Sequence, residues 1–213
     1  DATNKKYIIK EGIPYDKNNY PKPGYWKFED TDNSGMITEE DRTIIGNANP
    51  KLYGGLTNNF TWKGFDLSVF LNFSIGNKIY GANQMYYTKF NNRWRNTLKD
   101  KALDRFTVMN DKGEYIFDDP EQLAAVNKDR HYVSIDGSSN LSFHSGYVED
   151  GSFLKINNIS LGYTLPKSLV TKIKLSNVRF YATGYNLHTF TKYSGYDPEV
   201  NTCANNGLTP SID

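Results

Sequence analysis

Oxygen donors at Asp30, Asp32, Ser34, Met36, Thr38 and Asp41 follow the spacing of a calcium-binding loop. Carboxylates or hydroxyls fall at loop positions 1, 3, 5, 9 and 12, and Met36 at position 7 offers its backbone carbonyl. Gly35 stands at position 6, where such a loop turns sharply, and Ile37 would anchor the loop to a core. The run that follows, Arg42 to Lys51, lacks helical periodicity, so this is not a helix-loop-helix EF-hand. A second reading stays open: an Asp/Asn turn held by side-chain to backbone hydrogen bonds. If calcium binds, its role is to stiffen a loop.

Other reactive groups are scattered. His131, His144 and His188 have neither metal-ligand spacing nor a nucleophile motif beside them. The carboxylate pairs Asp118-Asp119 and Glu149-Asp150 read as solvated turns rather than as a glycosidase pair. A single cysteine, Cys203, excludes an internal disulfide framework and a multi-cysteine zinc site. The net charge of +1 gives no electrostatic footprint for nucleic acid. No enzymatic chemistry is expected.

The elements that must position these groups are strands. Among the 213 residues, 16 Tyr, 12 Phe and 17 Gly lean toward strands and turns. Over 52–62, Leu52, Leu56, Phe60 and Trp62 share one parity, and Tyr53, Thr57, Asn59 and Thr61 the other. Over 65–75, Phe65, Leu67, Val69, Leu71, Phe73 and Ile75 form an apolar face, opposite Asp66, Ser68, Asn72 and Ser74. Lys63-Gly64 between them predicts a two-residue hairpin in which Trp62 faces Phe65. Strands are also predicted at Phe153–Tyr163, with a phase break that suggests a bulge, and at Val178–Leu187. A short strand at Tyr7–Ile9 and helices within 93–109 and 120–128 complete the pattern.

Short connections then fall at one end of the strands and long ones at the other. With strands of about 10–11 residues and aromatics at the short-turn end, this predicts an all-β fold, antiparallel strands of a transmembrane β-barrel with long extracellular loops. Residues 1–50 and 76–150 are the expected extracellular loop regions, and 188–213 a further loop. A soluble sandwich would also alternate but does not require the loop asymmetry, and four strands cannot close a barrel: either the chain is part of a larger one or the barrel reading is wrong. On that reading Trp62 and Phe65 sit at the membrane interface. Tyr53, Thr57, Asn59, Asp66, Ser68, Asn72, Arg179, Tyr181 and Thr183 face the lumen. Tyr86, Tyr87, Trp94, Tyr132 and Tyr147 in the long loop either contact substrate or a lid, or pack the loop itself.

Several stretches carry a family pattern. Trp26-Lys27-Phe28-Glu29-Asp30 through Gly46-Asn47-Ala48-Asn49-Pro50, the hairpin around Trp62-Lys63-Gly64-Phe65, and Glu149-Asp150-Gly151-Ser152-Phe153 through Tyr163-Thr164-Leu165-Pro166 occur in family order. Gly184-Tyr185-Asn186-Leu187 and Thr191-Lys192-Tyr193 through Asp197-Pro198-Glu199-Val200 follow. Together they resemble SusC/RagA-type TonB-dependent outer-membrane transporters. Asn33-Ser34 stands where that family has Gly-Asp, one charge fewer in the acidic loop. The resemblance implies a C-terminal barrel fragment lacking the last strand, in the outer membrane of a Bacteroidota bacterium. It implies a SusD-like surface lipoprotein, the TonB-ExbB-ExbD complex and membrane lipid as partners. It also implies import of glycans or peptides, an oligosaccharide or peptide being the substrate. The alternative is a secreted, calcium-stabilised β module that binds carbohydrate or docks like a dockerin. A dockerin would repeat its acidic loop, and no second copy occurs in this sequence.

Overall fold

The computed structural model describes residues 7–18, 20–89, 96–135 and 143–199. The chain divides into two compact units. One comprises Asp1–Ile45 and Ala82–Tyr147, the other Gly46–Gly81 and Val148–Asp213.

The second unit is built on four antiparallel strands: β1 (Leu52–Trp62), β2 (Phe65–Ile75), β5 (Phe153–Thr164) and β6 (Arg179–Thr191), in the order β1-β2-β5-β6. The hairpin has the bounds its alternation predicts, with Trp62 opposite Phe65. Lys63 (φ 45°) and Gly64 (φ 91°) both take the left-handed conformation. A two-residue turn needs that to match the strand twist. A Cβ at Gly64 would lie 2.8 Å from the Thr164 carbonyl oxygen.

The phase break in β5 is a bulge. Leu71 pairs with Ile156 and Phe70 with Asn158, which leaves Asn157 unpaired. One extra residue reverses the alternation, so Leu154 and Ile156 share a face with Ile159, Leu161 and Tyr163. β6 answers with its own irregularity, pairing His188 to Ile156 but Tyr185 to Asn158, with Asn186 at φ 50°. It also runs to Thr191, past the expected start of a loop at residue 188. The β5–β6 connection contains α4 (Lys167–Val170) and a 3-10 turn at Thr171–Ile173, and Val170 is buried beneath them. A ribbon of β3 (Lys78–Tyr80) and β4 (Val148–Asp150) forms a separate two-stranded sheet.

Among its described residues the first unit holds three short α-helices, α1 (Ala82–Tyr87), α2 (Lys99–Asp104) and α3 (Pro120–Val126). Pro120 opens α3, and the Asp119 carboxylate accepts the Glu121 and Gln122 amides, both at 3.1 Å. The helix expected within 93–109 shortens to α2. Arg105 is extended, and the Phe106 amide donates to the Tyr132 carbonyl at 2.8 Å. No strand forms at Tyr7–Ile9. Tyr7 instead packs edge-on against Phe117 at 5.0 Å and donates its hydroxyl to the Phe117 carbonyl at 2.7 Å. Among the described residues no helix is long and apolar enough to cross a membrane.

Candidate functional site

The sheet has two chemically different faces. Successive residues of a strand point to opposite sides. The register then puts all nine predicted lumen residues on one side: Tyr53, Thr57, Asn59, Asp66, Ser68, Asn72, Arg179, Tyr181 and Thr183. Asn59, Ser68, Ser160 and Thr183 form a polar row across all four strands, closed by a 2.9 Å bond between the Ser160 and Thr183 hydroxyls. One row nearer the hairpin turn, Arg179 grips Asp66 with two hydrogen bonds, one of 3.1 Å from Nε. The pair spans β5 at Gly162, where a Cβ would come within 2.6 Å of both partners.

Nearer the other end of the sheet this face carries a buried cation that sequence reasoning missed. Lys155 is 8% exposed. Its ammonium donates to Asp197 at 3.0 Å and Glu199 at 2.8 Å, and Asn72 donates to Glu199 at 2.7 Å. Residues 197–199 are thereby held against the polar side of the sheet. The available signal was a lysine in phase with polar positions ahead of the bulge, matched by an acidic Asp-Pro-Glu run downstream.

The opposite face is apolar and open. Trp62, Phe65, Tyr163 and Phe180 form a row across the four strands beside the short turns, with the Phe65 and Tyr163 rings 4.4 Å apart. Phe60, Leu67, Leu161 and Ala182 form the next row; towards the far end Phe73, Leu154 and Phe190 form another, with the Leu52–Ile75 pair beyond it. Trp62 is 68% exposed, Phe60 60% and Phe180 64%. A continuous apolar surface of this kind needs an apolar cover. About eight residues separate Trp62 from Gly54 in the Phe73 row, roughly 27 Å along the strand. A tilt of about 40° reduces this to roughly 21 Å, close to the apolar band of an outer-membrane barrel.

In the first unit the acidic loop brings three carboxylates together: Asp30, Asp32 and Asp41 each offer an oxygen within 4.8 Å of the others. Gly35, at φ 82°, makes the sharp turn. The Asp30 carboxylate accepts the Ser34 amide at 3.1 Å and the Gly35 amide at 2.7 Å. Asp41 accepts the Thr31 and Thr38 amides, both at 2.7 Å. The Ser34 amide holds the Asp32 carboxyl below its ordinary range, and the Thr38 amide does the same for Asp41. Ser34 spends its hydroxyl on the Met36 carbonyl at 3.0 Å, and the Thr38 hydroxyl caps the Glu39–Asp41 turn. The backbone amides thus take up part of the cluster's acceptor capacity. The remaining lone pairs of three hard carboxylates suit a divalent cation.

The loop aromatics separate into two groups. Tyr147 is buried, and its hydroxyl meets those of Tyr132 at 2.9 Å and Thr88 at 3.2 Å. Trp26 lies 5.6 Å from the Tyr132 ring and 4.5 Å from His144. Tyr132 and Tyr147 therefore build the interior of this unit, and burial raises the Tyr132 hydroxyl well above its usual range. Tyr86 and Tyr87 are exposed, edge to face at 5.7 Å. Trp94 lies outside the described residues.

An antiparallel sheet with one open apolar face, one polar face and short turns at one end has the build of a wall segment of an outer-membrane β-barrel. No family model matches the sequence. TonB-dependent receptor P3 of Formosa agariphila is 33% identical over 181 residues, which are 84% of this chain and 16% of that protein. TonB-dependent receptor SusC of Bacteroides thetaiotaomicron is 29% identical over 201 residues, 93% of this chain and 17% of that protein. The RagAB peptide importer in its closed-closed state matches 79% of this chain and 17% of its own, with a TM-score of 0.58 and 25% identity. The RagAB peptide transporter matches the same share of each chain, with a TM-score of 0.57 and 23% identity. Over these spans the chain is homologous to TonB-dependent receptors of the SusC/RagA type. It spans about one sixth of the length of these relatives.

Proposed function

We propose that this chain forms part of the wall and external loops of a TonB-dependent importer that takes oligosaccharides or peptides across the outer membrane. The two-faced sheet carries the reading. Its apolar side, edged by Trp62, Phe65, Tyr163 and Phe180, suits lipid, and the nine polar residues opposite suit a water-filled lumen. Such a role needs no reacting side chain in this segment. Energy would arrive from the TonB-ExbB-ExbD complex and a SusD-like lipoprotein would close the outer mouth, in keeping with the SusC and RagAB likenesses. Asp30, Asp32 and Asp41 would hold calcium and brace an external loop.

The test is fractionation and uptake with the full-length transporter. It should reside in the outer membrane, require detergent for extraction, and support TonB-dependent uptake of labelled oligosaccharide or oligopeptide. Recovery of the full-length protein as a soluble, monodisperse species would refute the reading.

A further inference from the structure

The short-turn end of the sheet carries a concentrated positive charge that transport does not use. Lys63 lies in the β1–β2 turn, and Lys167, Lys172 and Lys174 in the β5–β6 connection. All four are exposed and none forms an ion pair among the described residues. Between residues 62 and 65, and between 163 and 178, there is no aspartate or glutamate. Asp66, which follows Phe65, is taken by Arg179.

Two of these lysines occupy expensive positions. The described non-glycine residues with positive φ are Asn33, Lys63, Lys174 and Asn186. Asparagine tolerates that conformation, whereas a lysine there carries the full steric cost of its Cβ. Lys174 takes φ 58° so that the Leu175 amide can return to the Val170 carbonyl at 3.1 Å. Glycine would serve both turns at less cost. Strain kept at two neighbouring turns, each time with a cation, points to a use for the charge.

Apolar side chains stand among the cations. Leu169 is 51% exposed, Ile173 59% and Leu175 50%, while Val170 pins the connection from beneath. The Trp62, Phe65, Tyr163 and Phe180 row begins immediately above, and the Lys63 ammonium sits 5.2 Å from the Trp62 ring. Lysines just outside an aromatic belt, interleaved with exposed leucine and isoleucine, match the depth and chemistry of a lipid headgroup with its first acyl carbons. An acidic soluble partner would account for the charge but not for the apolar side chains or their continuity with the belt.

We propose that Lys63, Lys167, Lys172 and Lys174 form a docking surface for anionic phospholipid on the short-turn side of the membrane. The proposal rests on the barrel reading above. Native mass spectrometry of the full-length transporter, with phosphatidylglycerol and phosphatidylethanolamine supplied in equal amounts, tests it. A polybasic surface contributes about fivefold in affinity per lysine at a charged bilayer, so wild type should retain at least about tenfold more phosphatidylglycerol. Replacing all four lysines by glutamine should bring the ratio close to one, replacing them by arginine should preserve it, and heat-modifiable gel mobility should confirm that both variants fold. Equal retention of the two lipids by wild type, or an undiminished preference in the glutamine variant, overturns the lipid site. Absence of wild type from the outer membrane overturns the barrel reading itself.

Discussion

Lys155 and Glu199 meet at 2.8 Å across 44 positions of sequence, fixing the end of the described chain to the polar face of β5. The Lys155 side chain is 10% exposed, and those of Asp197 and Glu199 are 29% and 35% exposed. Removing one member of a buried pair leaves the others desolvated without compensation. Lys155→Met should therefore cost about 2 kcal/mol, below the usual range for full burial because water still reaches the carboxylates. Glu199→Gln should cost less, since Asp197 still holds the ammonium. Thermal unfolding and limited proteolysis near residues 194–199 of the full-length protein would check both. Equal effects of the two substitutions would count against the latch.

Asn157 sets which way half of β5 faces. Deleting it should turn Leu154 and Ile156 to the polar side and Lys155 to the apolar side, and abolish barrel assembly. Asn157→Ala keeps the count and should be tolerated. Heat-modifiable mobility in outer-membrane extracts distinguishes them, and assembly of the deletion variant would contradict the bulge.

His144 gives the first unit an acid sensitivity. Its ring is buried beside Trp26 and Tyr147, Nδ1 accepts the Gly146 amide at 3.1 Å, and Nε2 has no partner among the described residues. Burial holds its pKa below the ordinary 6.5. As pH falls through about 6.5 the unfolded chain binds the proton first, so stability present above that value declines as pH drops toward the folded pKa. Protection factors over 143–147, corrected for the intrinsic pH dependence of amide exchange, should fall between about pH 7.5 and 5.5, and His144→Gln should flatten the response. An unchanged pH profile in the variant would exclude His144 as its source.

Calcium should order the acidic loop. Affinity in the range of about 0.1–1 mM, usual for extracellular calcium modules, is expected for three carboxylates. Added calcium should slow exchange over 30–41, and Asp32→Asn should abolish the effect. A loop indifferent to about 10 mM calcium would be held by its amides alone.

The hairpin was legible because two independent signals agree: alternation in each strand and Lys63-Gly64 between them. Alternation also placed the nine polar residues on one face of the sheet, since parity needs no knowledge of neighbours. β5 was legible only as a broken phase, because the bulge that repairs it is a property of pairing. β3 and β4 are three residues each, too short to show a period. The interior of the first unit could not be read, because Trp26, Thr88, Tyr132, His144 and Tyr147 come from four distant stretches. The Lys155 latch escaped for the same reason. In the acidic loop the spacing picked out the three carboxylates that the fold brings together, but local hydrogen bonds claim the Ser34 and Thr38 hydroxyls.

Gly162 leaves a mark that can be sought in other chains. Its missing side chain is the passage through which Arg179 reaches Asp66. The three positions, on three strands, should therefore be inherited as a block. A relative with alanine or larger at the position of Gly162 should have lost the acid, the base or both, and a relative that keeps both should keep the glycine. Paired substitution across these sites would make the ion pair visible as covariation, even in sequences too divergent to superpose.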